Sequence, residues 1–268
     1  MEKGKAMELS TLGLKDRAQW EAKGYQLPQF DRAAVTEATR ENPCWIHFGA
    51  GNIFRAFQAN VMQNILNRGE METGLIVAEG FDYEIIEKMN RPHDDYSILV
   101  TLKADGSVEK TVVGSVVESC ILDSENEGEY GRLKEIFCKQ SLQMVSFTIT
   151  EKGYSLVNGK GELLPAVAAD FAAGPEKPAS YIGKVASLLY TRFKNGQLPI
   201  AMVSMDNPLI ESGNKGIIMT PSPKVNNAYI YIRNFLSLNE YSSRHLTHIP
   251  LRDAGWRAMA ARVRGAPH

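Results

Sequence analysis

The chain has 268 residues, 44% of them hydrophobic and 23% charged, a composition that excludes disordered and fibrous proteins and fits one large domain or two small ones. Its formal net charge of −1 offers no global field for nucleic acid or for an anionic membrane, so a small molecule is the expected partner. Cys44, Cys120 and Cys138 are scattered and odd in number, which argues against a disulfide framework and against a metal site. The first thirty residues hold no apolar core of signal-peptide length, and no uncharged run approaches the length of a membrane span. The chain therefore reads as a reduced, cytoplasmic protein.

Taken in order, Trp45-Ile46-His47-Phe48 is a short apolar run that ends at glycine, as a strand does. Over residues 53–67, Phe54, Phe57, Val61 and Ile65 recur on one face of a helix. Leu75-Ile76-Val77-Ala78 has the character of a buried parallel strand, and a short helical segment follows through Ile85, Ile86 and Met89. Residues 97–103 and 108–119 are rich in β-branched side chains and flank Ala104-Asp105-Gly106, which predicts an inserted β-hairpin. A helix over 132–140, a strand over 144–150, an amphipathic helix over 181–195 and a strand over 198–205 complete the pattern. Gly196 stands where a helix C-terminus favours a left-handed residue.

The turn Gly49-Ala50-Gly51-Asn52-Ile53-Phe54-Arg55 lies between the first strand and the first long helix, the context of a dinucleotide-binding turn. Gly49 permits a tight turn, Gly51 lets backbone approach a pyrophosphate, and the helix N-terminus offers unpaired N–H groups to the anion. Phe54 stands where the usual third glycine would be, so the two glycines alone are equally compatible with a purely structural turn. Arg55 either reaches a phosphate or is a solvated helix residue. At the end of the second strand Glu79, and Asp82 after it, are the acids that could hold an adenosine ribose and favour NAD over NADP; acids are also common helix caps, and Asp82 is compatible with that role alone. The fold class expected is α/β, a Rossmann-like, doubly wound and mainly parallel sheet with an inserted β-hairpin.

The run from Ile46 to Ala59, with Asn52 and Arg55 after the second glycine, resembles the amino-terminal motif of the polyol-specific long-chain dehydrogenases, the mannitol dehydrogenase family, which includes fructuronate and tagaturonate oxidoreductases. Thr148-Ile149-Thr150-Glu151-Lys152-Gly153-Tyr154 resembles a second family motif and Ser204-Met205-Asp206-Asn207 a third. Ala78-Glu79-Gly80-Phe81-Asp82 and Arg91-Pro92-His93-Asp94-Asp95 add to the likeness. The resemblance implies NAD-dependent hydride transfer, without zinc, between a secondary alcohol and a ketone of a polyol or sugar acid: mannitol, mannonate or altronate. It implies that Gly49, Gly51, Asn52, Ile53, Arg55, Glu79 and Asp82 bind the cofactor. Asn207 matches a donor to the developing oxyanion, and Glu151 an acid beside the active site.

Beyond this point the likeness fades. Residues 1–206 carry 22 basic and 28 acidic side chains, whereas residues 207–268 carry 8 and 3, six of the eight being Arg. The family continues with a helical domain whose Lys-x-x-x-x-Asn-x-x-His constellation supplies the general base, and neither Lys215 nor Lys224 has that spacing. His245 and His248 form a pair with no third ligand nearby, which is a poor metal site. The expected organisation is a NAD-binding domain over 1–206 and an atypical basic tail over 207–268, truncated or out of frame relative to the family. The alternative function is a nonenzymatic NAD-binding module. The oligomeric state is open.

Overall fold

The computed structural model describes residues 7–149 and 151–205, which fall in two units, Met1–Ile121 and Leu122–His268. In the first unit, helix α1 (Arg17–Ala22), the two-residue strand β1 (Tyr25–Gln26) and helix α2 (Arg32–Glu41) precede the first apolar run. The Asp31 carboxylate accepts from the Ala33 and Ala34 N–H groups and starts α2. Strand β2 (Trp45–Phe48) passes through the glycine turn into a helix that begins at Asn52, runs as a π-helical turn over Phe54–Gln58 and continues as α3 (Ala59–Asn67). Strand β3 (Leu75–Glu79) is buried at every position.

A second π-helical turn, Ile85–Asn90, leads to β4 (Ser97–Leu102), β5 (Val108–Val113) and β6 (Val116–Ile121). Strands β6, β3 and β2 lie side by side in that order and both pairs are parallel, with Ile46 opposite Ile76 and Val77 opposite Ser119. Strands β1, β5 and β4 form a separate small sheet in which β4 and β5 are antiparallel.

Two expectations need correction. The helix after the glycine turn does not bury Phe54, Phe57, Val61 and Ile65 together: Phe54 is buried, but Phe57 and Val61 are 65% and 41% exposed. The residues that follow Phe54 into the core are Ala59, Met62 and Leu66. A π-helical turn spends one extra residue per turn, so every later position on the helix is shifted by one from an α-helical count that starts at Phe54.

The segment 108–119 is also not one hairpin arm. It divides at Gly114-Ser115, where the chain leaves the small sheet and enters the parallel one as β6. A Cβ on Gly114 would lie 2.7 Å from the Tyr96 ring, so only glycine fits without a shift. The Arg32 guanidinium donates to the Gly114 and Val116 carbonyls, and the Gln63 amide donates to Val112 O and accepts from the Gly114 N–H. These side chains satisfy the peptide groups that sheet pairing leaves open at the switch.

The second unit contains α4 (Glu127–Cys138), β7 (Met144–Phe147), α5 (Glu151–Tyr154), α6 (Pro165–Ala173), α7 (Tyr181–Lys194) and β8 (Ala201–Ser204), with β7 and β8 parallel. The helix expected over 132–140 starts earlier, at a cap formed by Asn126, whose side chain accepts from Glu129 N–H. Ser180 caps α7 in the same way, and Gly196, at φ +120°, follows its end. Arg192 of α7 is 2% exposed, and its guanidinium donates to the carbonyls of Phe137, Lys139, Leu142, Leu198 and Pro199. The cation is thus balanced by carbonyl dipoles at the end of α4 and in the approaches to β7 and β8. The fold is Rossmann-like α/β with a mainly parallel sheet. No helix among the described residues is long and apolar enough to cross a membrane.

Candidate functional site

The glycine turn is built by two parallel strands and one carboxylate. Gly49 takes φ +112°, a region that residues with a Cβ rarely adopt, and its N–H donates to Ala78 O of β3 at 2.8 Å. The next N–H, of buried Ala50, donates to Glu79 Oε2 at 2.8 Å. The other oxygen of Glu79 accepts from the N–H groups of Gly80, Phe81 and Asp82 at 2.9, 2.9 and 3.3 Å. Glu79 is 5% exposed, so its carboxylate is sequestered between the turn after β2 and the loop after β3. Asp82 is exposed. Of the two acids expected at a ribose, one is committed to backbone and the other remains open.

Gly51 differs from Gly49 in kind. Its φ lies outside the left-handed region, and a Cβ built on it meets nothing within 4 Å. Neither the backbone conformation nor the packing of this chain demands glycine there, and the space a side chain would fill is empty. The helix opens immediately afterwards at Asn52, and the N–H groups of Asn52, Ile53 and Phe54 have no partner among the described residues. Asn52 and Ile53 are exposed. Arg55 is half-buried, and its guanidinium donates to Ala50 O at 2.8 Å and to Asn52 Oδ1 at 2.6 Å. Burial draws its pKa down from the ordinary arginine value. It locks the turn to the first helical residues and leaves a positive charge beside them.

Phe54 replaces the third glycine for a reason that only the packing reveals. Its ring stacks on the imidazole of His47, centroids 4.4 Å apart and planes 8° from parallel. His47 is fully buried, and burial pushes its pKa down to about 3, so the ring is neutral at physiological pH. His47 was not among the residues expected at the site; its signal in the sequence is a polar residue in an otherwise apolar strand directly before the turn.

In the second unit, β7 and β8 run in register with Phe147 opposite Ser204, and the Tyr154 hydroxyl lies 3.4 Å from Ser204 Oγ. Glu151 is the first residue of α5, three residues after the Thr148 that follows β7. Asn207 lies outside the described residues, as do the tail 207–268 and its His245 and His248. Among the described residues no group of three His, Cys, Asp or Glu side chains is arranged to hold a metal ion.

A family profile described as the mannitol dehydrogenase Rossmann domain matches residues 44–230. The chain belongs to the mannitol dehydrogenase family. Among its relatives, a Thermotoga maritima protein named D-mannonate oxidoreductase is 49% identical over 201 residues, which make up 75% of this chain and 37% of that protein. A Cereibacter sphaeroides protein named mannitol 2-dehydrogenase is 30% identical over 186 residues, 67% of this chain and 36% of its own length. The crystal structure of Pseudomonas fluorescens mannitol 2-dehydrogenase, a ternary complex with NAD and D-mannitol, superposes with TM-score 0.64 at 22% identity, covering 91% of this chain and 46% of that one. The chain spans little more than a third of the length of these sequence relatives.

Proposed function

We propose that this chain carries the nucleotide site of a mannitol-dehydrogenase-family oxidoreductase that transfers a hydride between NAD and a polyol or sugar acid. The observation that supports the reading is Gly51, a glycine that its own surroundings do not require, set at the mouth of a helix whose first N–H groups have no partner among the described residues. A pyrophosphate needs both features, an approach free of Cβ and a row of donors. In this reading Gly49 makes the turn, Gly51 with the N–H groups of Asn52 and Ile53 receives the anion, and Arg55 adds charge beside it. Asp82 takes the ribose diol and disfavours a 2′-phosphate, so NAD is preferred to NADP, while Glu79 holds the turn in place.

The nicotinamide ring, when bound, supplies the hydride or accepts it. Asn207 would then donate a hydrogen bond to the developing oxyanion, and Glu151 would stand beside the proton path, roles taken from the family motifs. Glu151 follows the C-terminal end of β7, the side on which α/β sheets bind ligands, and Asn207 comes three residues after β8 in the sequence. The higher identity to the protein named D-mannonate oxidoreductase, 49% against 30% for mannitol 2-dehydrogenase, favours a sugar acid.

Fluorescence titration with NADH and NADPH tests the cofactor assignment. The wild-type chain is expected to bind NADH more tightly, and Gly51→Val to weaken NADH by at least about tenfold without loss of fold, because the side chain enters space that is empty only in the free protein. Unchanged affinity in a folded Gly51→Val variant would remove the pyrophosphate from this turn.

A further inference from the structure

The small sheet ends in a strand whose outer side is unpaired among the described residues. Its strand order is β1-β5-β4, so β4 has β5 on one side and no strand on the other. Lys103 N–H donates to Ser107 O at 3.0 Å, and in the same antiparallel register Thr101 lies opposite Glu109 and Leu99 opposite Thr111. Opposed residues of an antiparallel pair alternate between hydrogen-bonded and non-bonded, so Ser97, Leu99, Thr101 and Lys103 turn their peptide groups toward β5. The N–H and C=O groups of Ile98, Val100 and Leu102 therefore point out of the sheet edge, and they have no partner among the described residues.

The side chains at these three positions are apolar and between 40% and 77% exposed. Val108, opposite Leu102 on β5, is exposed as well and extends the patch. Alternation puts Leu99 on the other face, where it packs against the core of the first unit. Lys110, opposite Val100, turns its ammonium toward β1, donating to Lys23 O and lying over the Tyr25 ring. Soluble proteins ordinarily protect an edge strand from pairing with a charge, a proline or a bulge. β4, with sequence SILVTL, has neither charge nor proline, and its register with β5 is unbroken from Ser97 to Leu102.

We infer that β4 is the interface of a symmetric homodimer, in which two copies of the chain pair these edges antiparallel about a two-fold axis at Val100. In this register Val100 faces Val100 of the partner subunit, and Ile98 faces Leu102 of the partner subunit. Every outward-pointing residue of one β4 then meets an outward-pointing residue of the other, and each opposed pair exchanges two hydrogen bonds. An axis moved to Leu99 or to Thr101 leaves one of the three unmatched. Lys103 comes opposite Ser97 of the partner subunit, so no like charges are opposed along the seam. The strand is thus complementary to itself, as an isologous contact requires and an unrelated peptide does not supply. Pairing joins two small sheets into one, in the order β1-β5-β4-β4-β5-β1, and leaves neither β4 with an open edge, so the assembly closes at two copies. One strand is a smaller seam than a standard interface, which fits a reversible dimer with a dissociation constant of about micromolar. The contact shares no residue with the glycine turn and stands independently of the nucleotide assignment.

Sedimentation equilibrium of the 268-residue chain from about 1 to 200 µM is expected to show monomer and dimer exchanging. Val100→Lys sets two ammonium groups side by side at the axis and should raise the dissociation constant at least about tenfold, while the exposed position leaves the circular dichroism spectrum and urea midpoint close to wild type. Oxidation reads the register separately and does not depend on that variant. With Cys44 and Cys138 replaced by Ser, Val100→Cys brings two thiols together at the axis and is expected to give a disulfide-linked dimer, whereas Leu102→Cys faces Ile98 of the partner subunit and is not. A monomer throughout the concentration range, a dimer that survives Val100→Lys, or cross-linking of Leu102→Cys as readily as of Val100→Cys would overturn the proposal.

Discussion

His47 joins the glycine turn to the stability of the first unit. Its folded-state pKa of about 3 lies below the ordinary 6.5, so between these values the unfolded chain binds a proton that the folded chain excludes. The contribution is complete above about pH 6.5 and is lost as pH falls toward 3, by up to about 1.4 kcal/mol per pH unit. Urea unfolding between about pH 7 and pH 5 should show this slope in the wild type and a shallower one in His47→Gln; equal slopes would place the acid sensitivity elsewhere. Glu79 allows a second test at this scale. Because its carboxylate accepts four backbone N–H groups in the absence of nucleotide, Glu79→Gln is expected to lower the stability of the nucleotide-free chain by about 1–3 kcal/mol. Weaker NADH binding with unchanged stability of the free chain would instead make Glu79 a direct ligand of the ribose.

At the scale of elements, the π-helical turn Phe54–Gln58 decides which side of α3 faces the core. Phe57→Ser and Val61→Lys alter side chains that are exposed on the far side of the helix from the core, and each should cost less than about 0.5 kcal/mol. Met62→Ala empties a position that is 2% exposed and should cost about 2–5 kcal/mol. Chemical denaturation of the three variants checks the order; a reversed order would restore the uninterrupted α-helical phase. The same turn explains why amphipathic counting found the helix but assigned its faces one residue out: hydrophobic periodicity is a local signal, and a single inserted residue resets it without any mark in composition. The division of 108–119 at Gly114 was hidden for a related reason. Both halves are β-branched, and what separates them is the Tyr96 ring and the Arg32 guanidinium, which arrive from elsewhere in the chain.

Turnover belongs to the whole molecule. Hydride transfer needs a base for the alcohol proton, worth about 10²- to 10⁴-fold when well placed, and no lysine among residues 207–268 has the spacing to Asn and His that the family resemblance implies. On the proposed reading, these 268 residues by themselves are expected to bind NADH yet reduce fructose, fructuronate or tagaturonate very slowly. Initial rates at saturating NADH check this, and rapid turnover that disappears in Lys152→Ala would make Lys152 the base.

The strand, glycine turn and helix around Gly49 and Gly51 were legible in the sequence because each is local: an apolar run, two glycines and a helical period lie within about twenty residues of one another. Family membership was legible for the same reason, since its motifs are short and occur in order. The use of each side chain was not. Ala50 N–H finds Glu79 across 29 residues, His47 finds Phe54 across a turn, and Arg192 gathers carbonyls up to 55 residues away. A carboxylate at the end of a strand looks the same in sequence whether it faces a ribose or a buried peptide group. Burial and long-range hydrogen bonding distinguish these cases, and both arise only when distant segments pack together.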